Sequence, residues 1–176
     1  MRILNILKET MADGPGLRDS VYVAGCKHHC PGCHNPESWD IHGGTDMNIE
    51  DILKELNSEF TNITISGGDP FYQPKEFLKL LKGIHETYPN KSIWVYTGYT
   101  IEELTKLASI DSTIFNILLN INVIVEGRFV LKLRDTSLLY RGSSNQRIFA
   151  NCGIEMITLS KNIIKWKNIT NNPNEF

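Results

Sequence analysis

Three of the four cysteines in this 176-residue chain fall within the stretch GCKHHCPGCHN, residues 25–35. Cys26, Cys30 and Cys33 have the spacing Cys-x3-Cys-x2-Cys, with His28 and His29 between them and His34 just after. Thiolates are soft ligands, and three on one short loop suit three kinds of chemistry. With a histidine as the fourth ligand they can hold a structural zinc, although such sites usually draw on two separated pairs. Cys30 and Cys33 alone have the C-x-x-C spacing of a thiol–disulfide exchanger, which leaves Cys26 without a use. Alternatively, the three thiolates bind three irons of an iron–sulfur cubane. Most electron-transfer clusters are held by four cysteines, so a missing fourth ligand suggests a cluster that itself binds something. Cys152 is remote and reads as a buried or incidental thiol.

Chemistry of any of these kinds needs a scaffold. SVYVAG (20–25), NITISGG (62–68), SIWVYTG (92–98) and NVIVEG (122–127) are short, β-branched or aromatic, and read as buried strands. Between them lie helical patterns: Ile49, Ile52, Leu53, Leu56 and Phe60 share one face, as do Phe77, Leu80, Leu81, Ile84 and Tyr88. Thr100 with Glu103 is a capping-box signature, and STIFNILLN fits a further short helix ended by Asn120. Alternating strands and helices build an α/β domain around a mostly parallel sheet. Each predicted strand runs into a glycine at its C-terminal end: Gly25, Gly67, Gly98 and Gly127. Parallel sheets place their ligand sites at that edge, and the cysteines follow the first of these strands.

The composition is that of a soluble globular domain, 41% hydrophobic and 22% charged. A net charge of −2 supplies no basic surplus for gripping nucleic acid or a membrane face. The N-terminal apolar stretch is broken by Lys8 and Glu9, so it is no secretory signal, and the expected compartment is the cytoplasm.

The cysteine spacing, placed after the first strand of such a chain, resembles the radical S-adenosylmethionine (SAM) superfamily. CHN (33–35) is similar to its glycyl-radical activating enzymes. DGPGLR (13–18), SGGDP (66–70), WVYTGY (94–99), VIVEGRF (123–129) and RGSSNQR (141–147) then follow in the order of the family that activates anaerobic ribonucleoside-triphosphate reductases. Two positions depart from the pattern. Gly32 stands where many radical SAM proteins carry an aromatic residue, and Glu126 where the family usually shows Asp.

The resemblance implies a radical SAM domain over residues 1–150, built as a partial TIM-like β/α barrel. Residues 151–176 form a C-terminal extension, either partner-contacting or disordered, and Ile163, Trp166 and Ile169 are spaced for a short amphipathic helix there. It implies one 4Fe-4S cluster on Cys26, Cys30 and Cys33, with SAM chelating the open iron through its amino and carboxylate groups. Gly32, Cys33 and His34 then lie on the adenine side. Gly67 and Gly68 free backbone carbonyls for the amino group, and Asp69 adds negative charge or fixes the loop. Asn35 bonds backbone or adenine. Thr97, Gly98 and Tyr99 line the ribose or methionine side, unless Tyr99 belongs to the core. His28 and His29 read as exposed loop residues with at most a supporting role, and His42 and His85 as structural or solvated. No side-chain acid or base is required. The acted-on glycine belongs to a large partner reductase, the electron to a low-potential donor such as flavodoxin, and RGSSNQR touches that partner or closes the sheet. Two alternatives stand beside this reading: a zinc-binding interaction module, and an activase of another glycyl-radical enzyme such as formate C-acetyltransferase.

Overall fold

The computed structural model describes residues 1–158 and 161–175. The four expected strands are present as β2 (Arg18–Val23), β4 (Asn62–Gly67), β5 (Ile93–Tyr96) and β6 (Val123–Glu126). They pair side by side and parallel. Four strands the patterns did not reveal extend this sheet: β1 (Arg2–Thr10), β3 (Thr45–Asp46), β7 (Arg147–Thr158) and β8 (Lys161–Asn168). All of these pair antiparallel, giving the order β3-β1-β2-β4-β5-β6-β7-β8. The expected mostly parallel sheet is therefore corrected to a mixed one with a parallel centre. The sheet is open, with β3 and β8 at its edges. None of the described helices is long and apolar enough to cross a membrane.

Strand alternation sorts the two faces. Val21, Val23, Ile63, Ile65, Ile93, Val95 and Ile124 point to the face covered by helices α1 (Ile49–Glu55), α2 (Pro74–Thr87), α3 (Ile101–Ala108) and α4 (Ser112–Leu119). There they meet the helical stripes read from the sequence, among them Phe77, Leu80, Leu81 and Ile84 of α2. Full burial of each such side chain contributes roughly 1.5–3 kcal/mol. The other face carries a smaller cluster of Trp94, Val123, Val125, Ile148, Ala150 and Ile169. Beside it the DGPGLR segment folds the guanidinium of Arg18 under the N-terminal end of the parallel strands. Arg18 Nε donates to Thr64 Oγ1 at 2.7 Å and Nη2 to the Ile63 carbonyl at 2.6 Å, with the group 5.4 Å from the Trp94 ring centre. Burial lowers its pKa to about 10, so it keeps its charge at neutral pH.

The Thr100–Glu103 capping box opens α3 as expected, and STIFNILL forms α4 with Asn120 after it. Two expectations are corrected. α1 stops at Glu55, where the Leu56 N–H turns back to Leu53, so Phe60 lies outside it and is 85% exposed. Ile163 and Trp166 lie in strand β8 rather than a helix, opposite Glu155 and Asn151 of β7. The spacing of three fits either state, and the free edge of β7 selects the strand. β7 itself passes through residue 150 without a break.

Glu126 closes the end of β6. Its side chain is 1% exposed, accepting from the Ile101 N–H at the start of α3 (2.9 Å) and from Arg147 Nε of β7 (2.5 Å). The carboxylate thus joins a strand, a helix start and the returning strand. Glu126→Ala leaves a buried N–H without an acceptor and is expected to lower stability by about 2 kcal/mol in urea unfolding. Glu126→Gln, which keeps an acceptor for Ile101, should lose clearly less; equal losses would show that the hydrogen bond is immaterial.

Candidate functional site

The cysteine loop leaves the end of β2 and is fastened at its root. Gly25 N–H donates to Ser38 O (2.8 Å) and Cys26 N–H to Trp39 O (3.1 Å). His29 takes a left-handed conformation (φ 47°), and its ring stacks on Trp39 at 4.7 Å. Gly32 is also left-handed, and a Cβ there would stand 2.9 Å from the Leu131 side chain. The three loop thiols are free and partly exposed. Burial pushes the Cys26 and Cys30 thiols above their ordinary range. Backbone hydrogen bonds from His28 and His29 toward Cys26, and from Phe129 toward Cys30, act in the opposite sense. The Asn35 N–H points at Cys33 Sγ from 3.5 Å. A loop of this kind takes up metal with release of protons, because the bound form is the thiolate.

Asp69 ties this loop to the neighbouring strand ends. Its carboxylate is 1% exposed. Oδ1 accepts from the Phe71 N–H (3.1 Å), while Oδ2 accepts from Thr97 Oγ1 (2.8 Å) and the Gly98 N–H (3.0 Å). His28 Nε2 lies 2.8 Å from the same Oδ2. Since that oxygen is an acceptor to its other neighbours, the ring nitrogen donates. His28 is thereby corrected from an exposed loop residue to a side chain only 4% exposed. It sits edge-on to Tyr99 (4.8 Å) and Tyr72 (5.6 Å). Of the two roles open to Asp69, the geometry supports fixing the loop.

The strand-end glycines have a packing reason. A Cβ on Gly98 would stand 2.3 Å from the His28 ring, and one on Gly68 2.5 Å from Gly25 O. The Gly68 and Asp69 N–H groups donate to Val23 O (2.7 Å) and Gly25 O (2.8 Å), which binds the end of β4 to the root of the cysteine loop. Tyr99 packs against the main core. His34 is exposed, and Asn35 partly so. Cys152, on β7, is exposed rather than buried. His42 is exposed, whereas His85 Nε2 meets Asn120 O at 3.0 Å and serves the helix layer. RGSSNQR closes the β6–β7 connection: Gln146 Nε2 donates to Gly127 O (2.9 Å) and Asn145 Nδ2 to Arg128 O (2.9 Å).

Among the described residues, no three His, Cys, Asp or Glu side chains form a group that could hold a single metal ion. Three free thiols on one short loop, with the Asn35 N–H directed at Cys33 Sγ, fit the thiolate cage of an iron–sulfur cluster. The chain has the character of a single-cluster iron–sulfur protein, and residues 12–149 match the family model of the 4Fe-4S single cluster domain.

Curated relatives narrow this further. The anaerobic ribonucleoside-triphosphate reductase-activating protein of Escherichia coli K12 is 39% identical over 144 residues, covering 77% of this chain and 90% of that protein. Its counterpart in Haemophilus influenzae is 33% identical over 156 residues (84% and 97%), and that of Enterobacteria phage T4 is 32% identical over 145 residues (79% and 87%). The chain belongs to this family of anaerobic ribonucleoside-triphosphate reductase-activating proteins, and it contains a 4Fe-4S cluster domain.

Because Gly98 makes room for His28, Gly98→Ala should displace the ring and loosen the loop. Iron retained through anaerobic gel filtration is expected to fall severalfold in Gly98→Ala. In a His28→Ala background, the same glycine change should add little, since the clash is gone. Additive losses would show that the two residues act independently.

Proposed function

We propose that this chain activates an anaerobic ribonucleoside-triphosphate reductase by reductive cleavage of SAM, installing a radical on a glycine of that partner. The observation that carries the reading is the ligand count at the sheet edge. Cys26, Cys30 and Cys33 share one loop there, while the remaining cysteine, Cys152, is on β7. In this reading the parallel strands and their helices form the incomplete β/α barrel of a radical SAM domain.

Cys26, Cys30 and Cys33 would hold the cluster by three of its irons, and the fourth would be open to the amino and carboxylate groups of SAM. When bound, the cluster would supply one low-potential electron for reductive cleavage of a carbon–sulfur bond of SAM, yielding methionine and a 5′-deoxyadenosyl radical that would take a hydrogen atom from the glycine Cα. The protein's part is positional. Gly67 and Gly68 present backbone without side chains toward the methionine end. Asp69, with its oxygens engaged internally, keeps that backbone in register with the cysteine loop. Gly32, Cys33 and His34 lie toward the adenine, and the half-buried loop limits water around the reacting atoms. No side chain has to move a proton.

The family model's description supports a cluster over zinc, and the relatives' names support a reductase over formate C-acetyltransferase as partner. A low-potential carrier such as flavodoxin supplies the electron, and the cytoplasm is the fitting compartment. The net charge of −2 speaks against nucleic acid or a membrane face as a partner.

Anaerobically purified protein should be brown, with about four irons per chain, and should release 5′-deoxyadenosine from SAM with dithionite. Cys26→Ala, Cys30→Ala and Cys33→Ala should each abolish that release. A triple alanine variant that still released it would overturn the ligand assignment, and colourless protein with one zinc would support the interaction module.

A further inference from the structure

We infer that the β6–β7 connection, residues 127–146, is the surface on which the glycine-bearing segment of the reductase docks, through Val130, Leu131 and Leu133 flanked by Lys132 and Arg134. This inference rests on the activase reading above.

The connection is far longer than its geometry needs. Glu126 and Arg147 are direct partners across an antiparallel pair, a junction that hairpin loops of about 2–5 residues close routinely. Its base is well ordered by internal bonds. Gln146 Oε1 accepts from the Gly142 N–H (2.9 Å), Ser144 N–H donates to Leu133 O (2.9 Å), and the Tyr140 ring packs edge-on against Trp94 at 5.5 Å. Despite this order, Val130, Leu131 and Leu133 are 38%, 53% and 44% exposed. Large apolar side chains held out by a pinned loop mark an interaction surface.

Its location supplies the occupant. The Leu131 side chain lies in the space beside Gly32, which sits between Cys30 and Cys33. Hydrogen-atom transfer requires the reacting atoms to come within about 3–3.5 Å of each other. A glycine on another protein must therefore reach this edge, and its flanking residues must cover what adjoins the cysteine loop. Charge narrows the partner's chemistry. The connection carries Arg128, Lys132, Arg134 and Arg141 against Asp135 alone, in a chain of net charge −2. Arg128 is paired with Glu103, whereas Lys132 and Arg134 are exposed. The fitting segment is apolar with acidic flanks. Self-association through this patch would set the cations of two copies against each other.

The test uses cluster-loaded protein and intact reductase, with Leu133→Ser and the double variant Lys132→Glu/Arg134→Glu. Neither changes a residue placed at the cluster. Release of 5′-deoxyadenosine without reductase should stay within about twofold of the parent. Half-maximal glycyl-radical formation, followed by electron paramagnetic resonance, should need at least about fivefold more reductase. Sedimentation should show the same loss of affinity without turnover, and the parent's binding should weaken as salt rises. Unchanged reductase affinity in both variants overturns the inference, as does a change confined to self-association. If a variant also loses SAM cleavage, the sedimentation result alone decides. Failure of the parent to form any glycyl radical while still cleaving SAM would instead refute the partner assignment.

Discussion

Asp69 carries a carboxylate shielded from solvent, and an ion so placed is tolerable only when its lone pairs are occupied. Its partners come from different parts of the chain: Phe71 just ahead, Thr97 and Gly98 at the end of β5, and His28 from the middle of the cysteine loop. Satisfying one charge therefore fixes three otherwise independent pieces of backbone against each other. The glycines follow from the same requirement. Gly98 admits the His28 ring, and Gly68 lets the end of β4 rest on Gly25 O. The sheet edge is tied by hydrogen bonds at its root, while the three thiols of the cysteine loop remain partly exposed.

The two ends of the parallel strands are finished differently. At the N-terminal end, the Arg18 guanidinium fills the space with bonds to Thr64 and Ile63 and its contact with Trp94, so this end is a closed structural plug. At the C-terminal end, the backbone is gathered around Asp69 and the reactive groups face outward. Glu126 and Arg147 brace the side of this edge at β6, holding in place the connection that lies against Gly32. The asymmetry suits chemistry confined to one edge and a partner that must approach it.

Much of this was legible because it is written locally. The capping box at Thr100, the stripe of Phe77, Leu80, Leu81 and Ile84, and the glycine after each parallel strand are short-range signals that the fold keeps. The antiparallel flanks were not legible. β1 buries little besides Ile3, so it lacks the continuous apolar run of a central strand. In β8, Ile163 and Trp166 are spaced as well for a helix as for a strand, and only the edge of β7 decides between them. The burial of His28 is hidden from the sequence for a similar reason. Its burial depends on Asp69, Tyr72 and Tyr99, all distant along the chain, and the hint available in the sequence was Gly98, whose missing side chain makes the space.

The central claim is that three thiolates leave one iron of a cubane for SAM. Mössbauer spectroscopy of 57Fe-loaded protein tests it directly, by comparing the reconstituted cluster before and after SAM is added. The account predicts that one iron in four changes its isomer shift and quadrupole splitting while the other three stay nearly constant. Four irons indifferent to SAM, each already bound by a protein side chain, would contradict it.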